Sequence, residues 1–136
     1  MSNQNAQLVR EMYQAYGRGD IESVLNSLTD DVVWSSPGPA PFAGRKSGRE
    51  QVRQFFREMS QAIQTDEFQL DGLLADGDRV VALGHIKGVI RATGRRSDFE
   101  WVHVYTVRNG KVSVANMFNN SGATAADFGV STRAAG

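Results

Sequence analysis

The stretch that decides the fold reads Ser97-Asp-Phe-Glu-Trp-Val-His-Val-Tyr-Thr-Val-Arg108, then Asn109-Gly110, then Lys111-Val-Ser-Val-Ala-Asn-Met-Phe-Asn-Asn120. Asn-Gly between two runs rich in Val, Tyr, Phe and Trp is a strong hairpin signal, because a type I′ turn needs φ > 0 at both central residues. Such a turn fixes a register. With Arg108 opposite Lys111 and no bulge, Tyr105 faces Val114, His103 faces Asn116, Trp101 faces Phe118 and Phe99 faces Asn120. One face then carries large aromatics interrupted by one imidazole and two carboxamides, the composition of a small-molecule pocket wall. The other carries Glu100, Val102, Val104, Thr106, Ser113, Ala115, Met117 and Asn119, too apolar to be left in water.

Upstream of the hairpin, Gly94 marks a turn, Arg79 to Ile90 reads as a strand, and Asp76-Gly77-Asp78 turns back to a run in which Phe68, Leu70, Gly72 and Leu74 alternate with polar or smaller residues. The length of the Gly94 loop sets the face of His85. Three or five residues would place it opposite His103 in the pocket, and two or four would place it opposite Val104 on the far face. Gly94-Arg95 suits a two-residue turn with Gly first, which favours the far face and a partner subunit for His85. Val80, Ala82, Gly84 and Ile86 then point to the pocket side, with ligand room over Gly84.

Further back the period changes from two to 3.6. Leu8, Val9, Met12, Tyr13, Ala15 and Tyr16 form an amphipathic stripe from about Asn3 to Arg18. Asp20 is a suitable N-cap for a short helix from Ile21 to about Leu28, and Val32 to Trp34 read as a short extended piece. All three prolines lie between Pro37 and Pro41, so Ser35 to Lys46 is expected to be a loop with the character of a lid. Ser47-Gly-Arg-Glu50 has capping-box spacing and opens a third helix, with Val52, Phe55, Phe56, Met59 and Ile63 on one side. Ala123 to Phe128 reads as a last short turn, and Ser131 to Gly136 as a frayed tail.

Helices followed by a meander describe an α+β domain: three N-terminal helices packed on a curved antiparallel sheet of about four main strands plus a short early one. At 136 residues and 40% hydrophobic content, residues 1–136 make one domain. The uncovered sheet face predicts a homodimer through Val102, Val104, Ala115 and Met117. Fifteen basic residues balance fifteen acidic ones, which gives no electrostatic case for nucleic acid or an anionic membrane. Absence of cysteine excludes disulfides, thiolate nucleophiles and Cys-ligated metals. The N-terminus lacks signal-peptide features and no apolar run reaches spanning length, so a cytoplasmic protein is expected.

Five motifs together resemble the nuclear transport factor 2-like superfamily, and within it the SnoaL-like polyketide cyclase and ketosteroid isomerase branch. They are Val-x-x-x-Tyr-x-Ala-Tyr-x-x-Gly-Asp at Val9 to Asp20, Leu-x-Asp-Asp-Val-Val-Trp at Leu28 to Trp34, and Gly-Arg-Glu-x-Val-x-x-Phe-Phe at Gly48 to Phe56. The last two are Gly-Asp-Arg-Val-Val at Gly77 to Val81 and Asn-Gly-Lys-Val at Asn109 to Val112. The resemblance spans about Leu8 to Phe128 and implies a cone-shaped fold, usually dimeric, with a deep apolar pocket. It also implies positions for catalytic groups, and these are not retained. The isomerase's general-base Asp falls at Ser36, its oxyanion-hole Tyr at Met12 and its protonated Asp at His103, while the SnoaL-type Asp falls at Asn120. The epoxide hydrolases' Asp-Arg-Asp set is met by Trp101, His103 and Asn120.

His103 is then the one pocket-facing group able to move a proton near neutral pH, with Asn116 to orient its ring. Asn120 or Tyr16 would hold a substrate oxygen, and Met12, Trp34, Phe55, Phe99, Trp101, Asn116 and Phe118 would line the pocket. Two histidines without a carboxylate set make no metal site, and no phosphate loop or other cofactor motif is present. Two functions follow: an acid/base isomerase, cyclase or dehydratase acting on a small apolar carbonyl compound, or a non-catalytic dimeric domain that binds one.

Overall fold

A computed structural model describes residues 2–36 and 42–119. Helix α1 (Ser2–Gly17) and helix α2 (Ile21–Asn26) precede strands β1 (Leu28–Ser36) and β2 (Gly44–Ser47); helix α3 (Arg49–Ala62) follows. The chain then runs through β3 (Ile63–Asp76), β4 (Arg79–Ile90), β5 (Arg96–Arg108) and β6 (Lys111–Asn119). The six strands form one sheet in the order β2-β1-β6-β5-β4-β3. All neighbours are antiparallel except β1 and β6, which run parallel, so the sheet is mixed and not a pure meander. The α+β class is as the sequence implies. Asn120 and the 123–128 and 131–136 segments lie outside the described residues.

Local chemistry explains most element ends. Asp20 caps α2 by accepting from the Ser23 amide at 3.1 Å and the Ser23 hydroxyl at 2.6 Å. The capping box expected at Ser47 and Glu50 does not form. Gly48 occupies the N-cap with φ 83°, and the Ser47 amide donates instead to Gln51 Oε1 at 2.7 Å. Ser47 is already held in β2 opposite Val33, which leaves the left-handed residue to glycine. Of the expected lid, Ser35 and Ser36 end β1 and 44–47 form the edge strand; 37–41 lie outside the described residues. Ile63 has extended backbone and starts β3 where the stripe of α3 was expected to continue.

The helices cover one face of the sheet, and the core lies between them. Val9, Met12 and Ala15 from α1, Val24 and Leu25 from α2, and Val52, Phe55 and Phe56 from α3 meet Val80, Ala82, Ile86 and Ile90 of β4 and Trp101, Tyr105 and Val107 of β5. The β3 alternation is broken by two register shifts, between Thr65 and Glu67 and between Leu70 and Gly72. The second moves Leu73 and Ala75 inward and leaves Leu74 64% exposed, against the simple alternation.

Two turns settle the faces of the central strands. Asn109 (φ 53°) and Gly110 (φ 77°) both adopt the left-handed conformation that the Asn-Gly hairpin requires, with Arg108 opposite Lys111. A bulge follows immediately, because Val107 pairs with Val112 but Thr106 pairs with Val114. Past it, Tyr105 faces Ala115, His103 faces Met117 and Trp101 faces Asn119. The bulge-free register is thus corrected by one residue, which exchanges the two faces of β6. Ala115 and Met117 are buried inside and do not belong to the outer face, while Asn116 and Phe118 turn outward, Phe118 to 53% exposure.

Between β4 and β5, Ile90 accepts from Gly94 and donates to Arg95, enclosing the four residues 91–94. His85 consequently pairs with Glu100 on the outer face, as the even loop length requires, though not with Val104. Val80, Ala82, Gly84 and Ile86 point inward as expected. The space over Gly84 is not open to a ligand: a Cβ there would collide with the Trp101 indole and the Gln69 carbonyl, so the absent side chain admits Trp101.

Candidate functional site

The inner face of β5 presents Phe99, Trp101, His103 and Tyr105 in sequence, and the aromatic faces of α1 and α3 close over it. Trp101 stacks on His103 at 4.1 Å between ring centroids and on Phe68 at 4.9 Å. Tyr13 of α1 lies over Trp101 at 5.6 Å and beside His103 at 6.1 Å. Trp34 of β1 packs against Phe55, Phe56 and Tyr105. These rings bound a cavity of about 80 Å³, where a single water needs roughly 10–15 Å³ on the same measure. Among its described lining residues there is no Asp, Glu, Lys or Arg.

His103 is held by two phenols. Tyr13 Oη lies 2.6 Å from His103 Nδ1 and 2.6 Å from Tyr105 Oη, and Tyr105 Oη lies 3.3 Å from the same nitrogen. One assignment of protons uses every hydroxyl: Tyr105 donates to Tyr13, and Tyr13 donates to Nδ1. If Nδ1 carried the proton, one phenol hydrogen would have no acceptor in the cluster. Nδ1 is therefore the acceptor, and the Nε2–H is left as a donor with no partner among the described residues.

Burial governs the charge states. It pushes the His103 pKa down to about 3, so the imidazole is neutral at physiological pH. Tyr16 is pushed up to about 12 by the same cause, and Tyr105 is raised further. Tyr13 is raised well above its ordinary value by burial first and then by Tyr105. All three phenols remain protonated donors. Desolvation, which no described charge offsets, thus favours a His103 that donates as a neutral ring over one that titrates near neutral pH.

Several expected site residues come together here. Met12, Tyr16, Trp34, Phe55, Phe99, Trp101 and His103 all line the cavity. Asn116 does not, because the β6 bulge turns it outward, and Tyr13 and Tyr105 orient the imidazole in its place. Phe118 also faces outward and only borders the cavity, while Met117 and Asn119 take the inner positions. Tyr13 is the residue that sequence reasoning missed as a site group. Its stripe position on α1 signals burial, but its partners lie 90 and 92 residues away.

His85 is separate from this site. Its Nδ1 lies 2.9 Å from Asp71 Oδ2 and its Nε2 3.2 Å from Glu67 Oε2, on the outer face. The hydrogen bond to Asp71 is the largest influence and raises its pKa; desolvation opposes it, and Glu67 adds a smaller raise. Among the described residues no group of His, Cys, Asp and Glu side chains could hold a metal ion. No helix among them is long and apolar enough to cross a membrane.

The sequence profile of the SnoaL-like domain matches residues 9–115. The chain belongs to the SnoaL-like domain family. This SnoaL-like domain also superposes on an NTF2-like protein from Burkholderia xenovorans LB400 with a TM-score of 0.86, at 28% identity over 93% of this chain and 97% of that one. An NTF2-like protein of unknown function from Burkholderia pseudomallei K96243 gives 0.84 at 30% identity, covering 93% and 98%. TerC, crystallised with polyporic acid, gives 0.82 at 22% identity over 93% and 98%, a likeness of fold alone. No curated protein matches the chain significantly.

The neutral imidazole has a consequence for stability. An unfolded chain binds a proton at each His near pH 6.5, whereas folded His103 binds one only near pH 3. The unfolded state therefore gains protons first, and the His103 contribution is lost as pH falls below about 6.5. His85 acts with the opposite sign, since its raised pKa gives stability that is lost as pH rises through it. In urea unfolding at pH 7 and pH 5, the wild type should lose about 2 kcal/mol relative to His103→Gln, a comparison in which His85 cancels. Equal losses in the two proteins would show that His103 is not buried neutral.

Proposed function

We propose that this domain binds a small, neutral, mostly apolar carbonyl compound and polarises its carbonyl oxygen through His103 Nε2–H. The observation that carries the reading is the Tyr13–His103–Tyr105 cluster, which fixes a neutral imidazole as a donor in the wall of an aromatic cavity. Tyr16, protonated at neutral pH, is a second donor in the same wall. A wall of donors without a described charged residue favours an acceptor-bearing, uncharged ligand. A neutral imidazole can stabilise charge that develops on a carbonyl oxygen when a neighbouring C–H is lost, the step shared by isomerisation, cyclisation and dehydration next to a carbonyl.

One observation favours a purely binding role: the described lining holds no carboxylate or amine to act as a strong base. The two readings separate without knowledge of the natural substrate. Deuterium exchange at C2 of 1-tetralone in D₂O, followed by proton NMR, reports enolisation directly. The catalytic reading expects exchange faster than in buffer, a rate independent of His103 protonation between pH 5 and 8, and a loss of at least ~10²-fold in His103→Gln. Tetralone binding without faster exchange would leave the binding role, and no binding would reject both.

We also propose that the outer sheet face is covered by a second copy of the chain, cytoplasmic as expected from the sequence. Leu83, Phe118 and Leu74 are exposed there, beside half-buried Val102, Val104 and Val114. A two-fold interface would bury the same patch on both subunits. Sedimentation should give a dimer at micromolar concentration, and Val104→Asp should dissociate or unfold it. A wild-type monomer would contradict this.

A further inference from the structure

The cavity wall contains polar atoms that no group among the described residues satisfies. The Nε1–H groups of Trp34 and Trp101 and the Oδ1 of Asn119 are buried without a hydrogen-bond partner, and all three residues line the cavity. Both tryptophans are 3% exposed. An indole N–H can only donate, and a buried donor left unpaired forfeits the hydrogen bond it would make in water. Elsewhere in the same wall Tyr13, Tyr105 and His103 Nδ1 are paired with one another, while His103 Nε2–H stays open like the two indoles. Donors left open in an apolar wall mark places where a ligand is to supply the acceptor.

The two donors stand at opposite ends of the wall. Trp34 is level with Ala115 of β6, and Trp101 is opposite Asn119 of the same strand. These β6 positions are four residues apart, roughly 13 Å at the backbone. His103 and Met117 pair between them. Phe68 and His103 both stack on Trp101 at its end, and aromatic rings make up most of the remaining cavity lining, which suits a planar ligand. A cavity of about 80 Å³ holds roughly five to eight waters, or roughly 150–240 Å³ of liquid, the space of one or two rings and their substituents.

We propose that Trp34 and Trp101 are specificity-determining residues, each donating its indole N–H to an acceptor oxygen at one of two opposite edges of a flat, neutral, one- or two-ring ligand. This deepens the carbonyl-compound reading and rests on it: His103 serves one oxygen, and the indoles select ligands that carry oxygens at both edges. Asn119 Oδ1 stands beside the Trp101 end and suits a hydroxyl there.

The chain has two tryptophans, both in this wall, so its indole NMR signals report on the cavity alone. Naphthalene and 1,4-naphthoquinone are matched probes, of the same two-ring frame without and with oxygens at opposite edges. Calorimetry should give roughly tenfold or more tighter binding of the quinone, and both indole ¹H–¹⁵N signals should move downfield with it. Replacing both tryptophans by β-(3-benzothienyl)alanine, which keeps the ring shape and deletes the N–H, should abolish that preference while naphthalene still binds. Equal binding of the two probes, a preference that survives the replacement, or failure of either indole signal to move would overturn the inference and leave the cavity reading standing. Failure of naphthalene, naphthoquinone and 1-tetralone alike to bind would overturn the cavity reading itself.

Discussion

The site depends on the hydrogen bond from Tyr13 to His103 Nδ1. An imidazole buried among Trp101, Tyr13 and Tyr105 cannot keep a charge, because desolvation penalises the cation and no described carboxylate faces it. It can stay there only as a neutral ring with its acceptor nitrogen satisfied, and two phenols from different elements supply that partner. The same bond ties α1 to the middle of the sheet. Helix docking, tautomer and direction of the free N–H thus follow from one contact at 2.6 Å.

Donors dominate the polarity of this cavity. The phenols stay protonated, the imidazole stays neutral, and the indoles can only donate, so a bound molecule meets mainly donors on an apolar floor, with Asn119 Oδ1 as an unpaired acceptor at one end. Such a wall supports recognition of carbonyl oxygens more naturally than proton abstraction, which needs a base of matched pKa. Ser36 and His103, where the resemblance implies the isomerase's carboxylates, carry none. Carbonyl polarisation is the chemistry that the remaining groups can perform.

Much of this was legible in the sequence. The Asn109-Gly110 turn, the aromatic inner face of β5, the Asp20 cap and the outward face of His85 all follow from local rules, because each depends on neighbours in the chain. The faces of β6 did not. Val112-Ser113-Val114-Ala115 is small at every position and has no polar-apolar alternation strong enough to fix a face, so periodicity cannot tell which residue the bulge adds. Asn116 was assigned to the pocket by that missing residue. Tyr13 was legible as a buried stripe position only, since its partners are set by the packing of α1 on the sheet. The depth at which His103 is buried, and with it the extent to which its charge is suppressed, is a tertiary property that the sequence pattern does not carry.

The central claim is that His103 is a neutral Nε2–H imidazole whose Nδ1 accepts from Tyr13. Nitrogen-15 NMR of the two histidine rings between pH 4.5 and 8 tests it most directly. The account predicts one ring fixed in the Nε2–H form throughout, with its Nδ1 shift altered in Tyr13→Phe, while the other ring titrates above the ordinary histidine value. Two rings that both titrate within this range, or a His103 ring protonated at Nδ1, would contradict it.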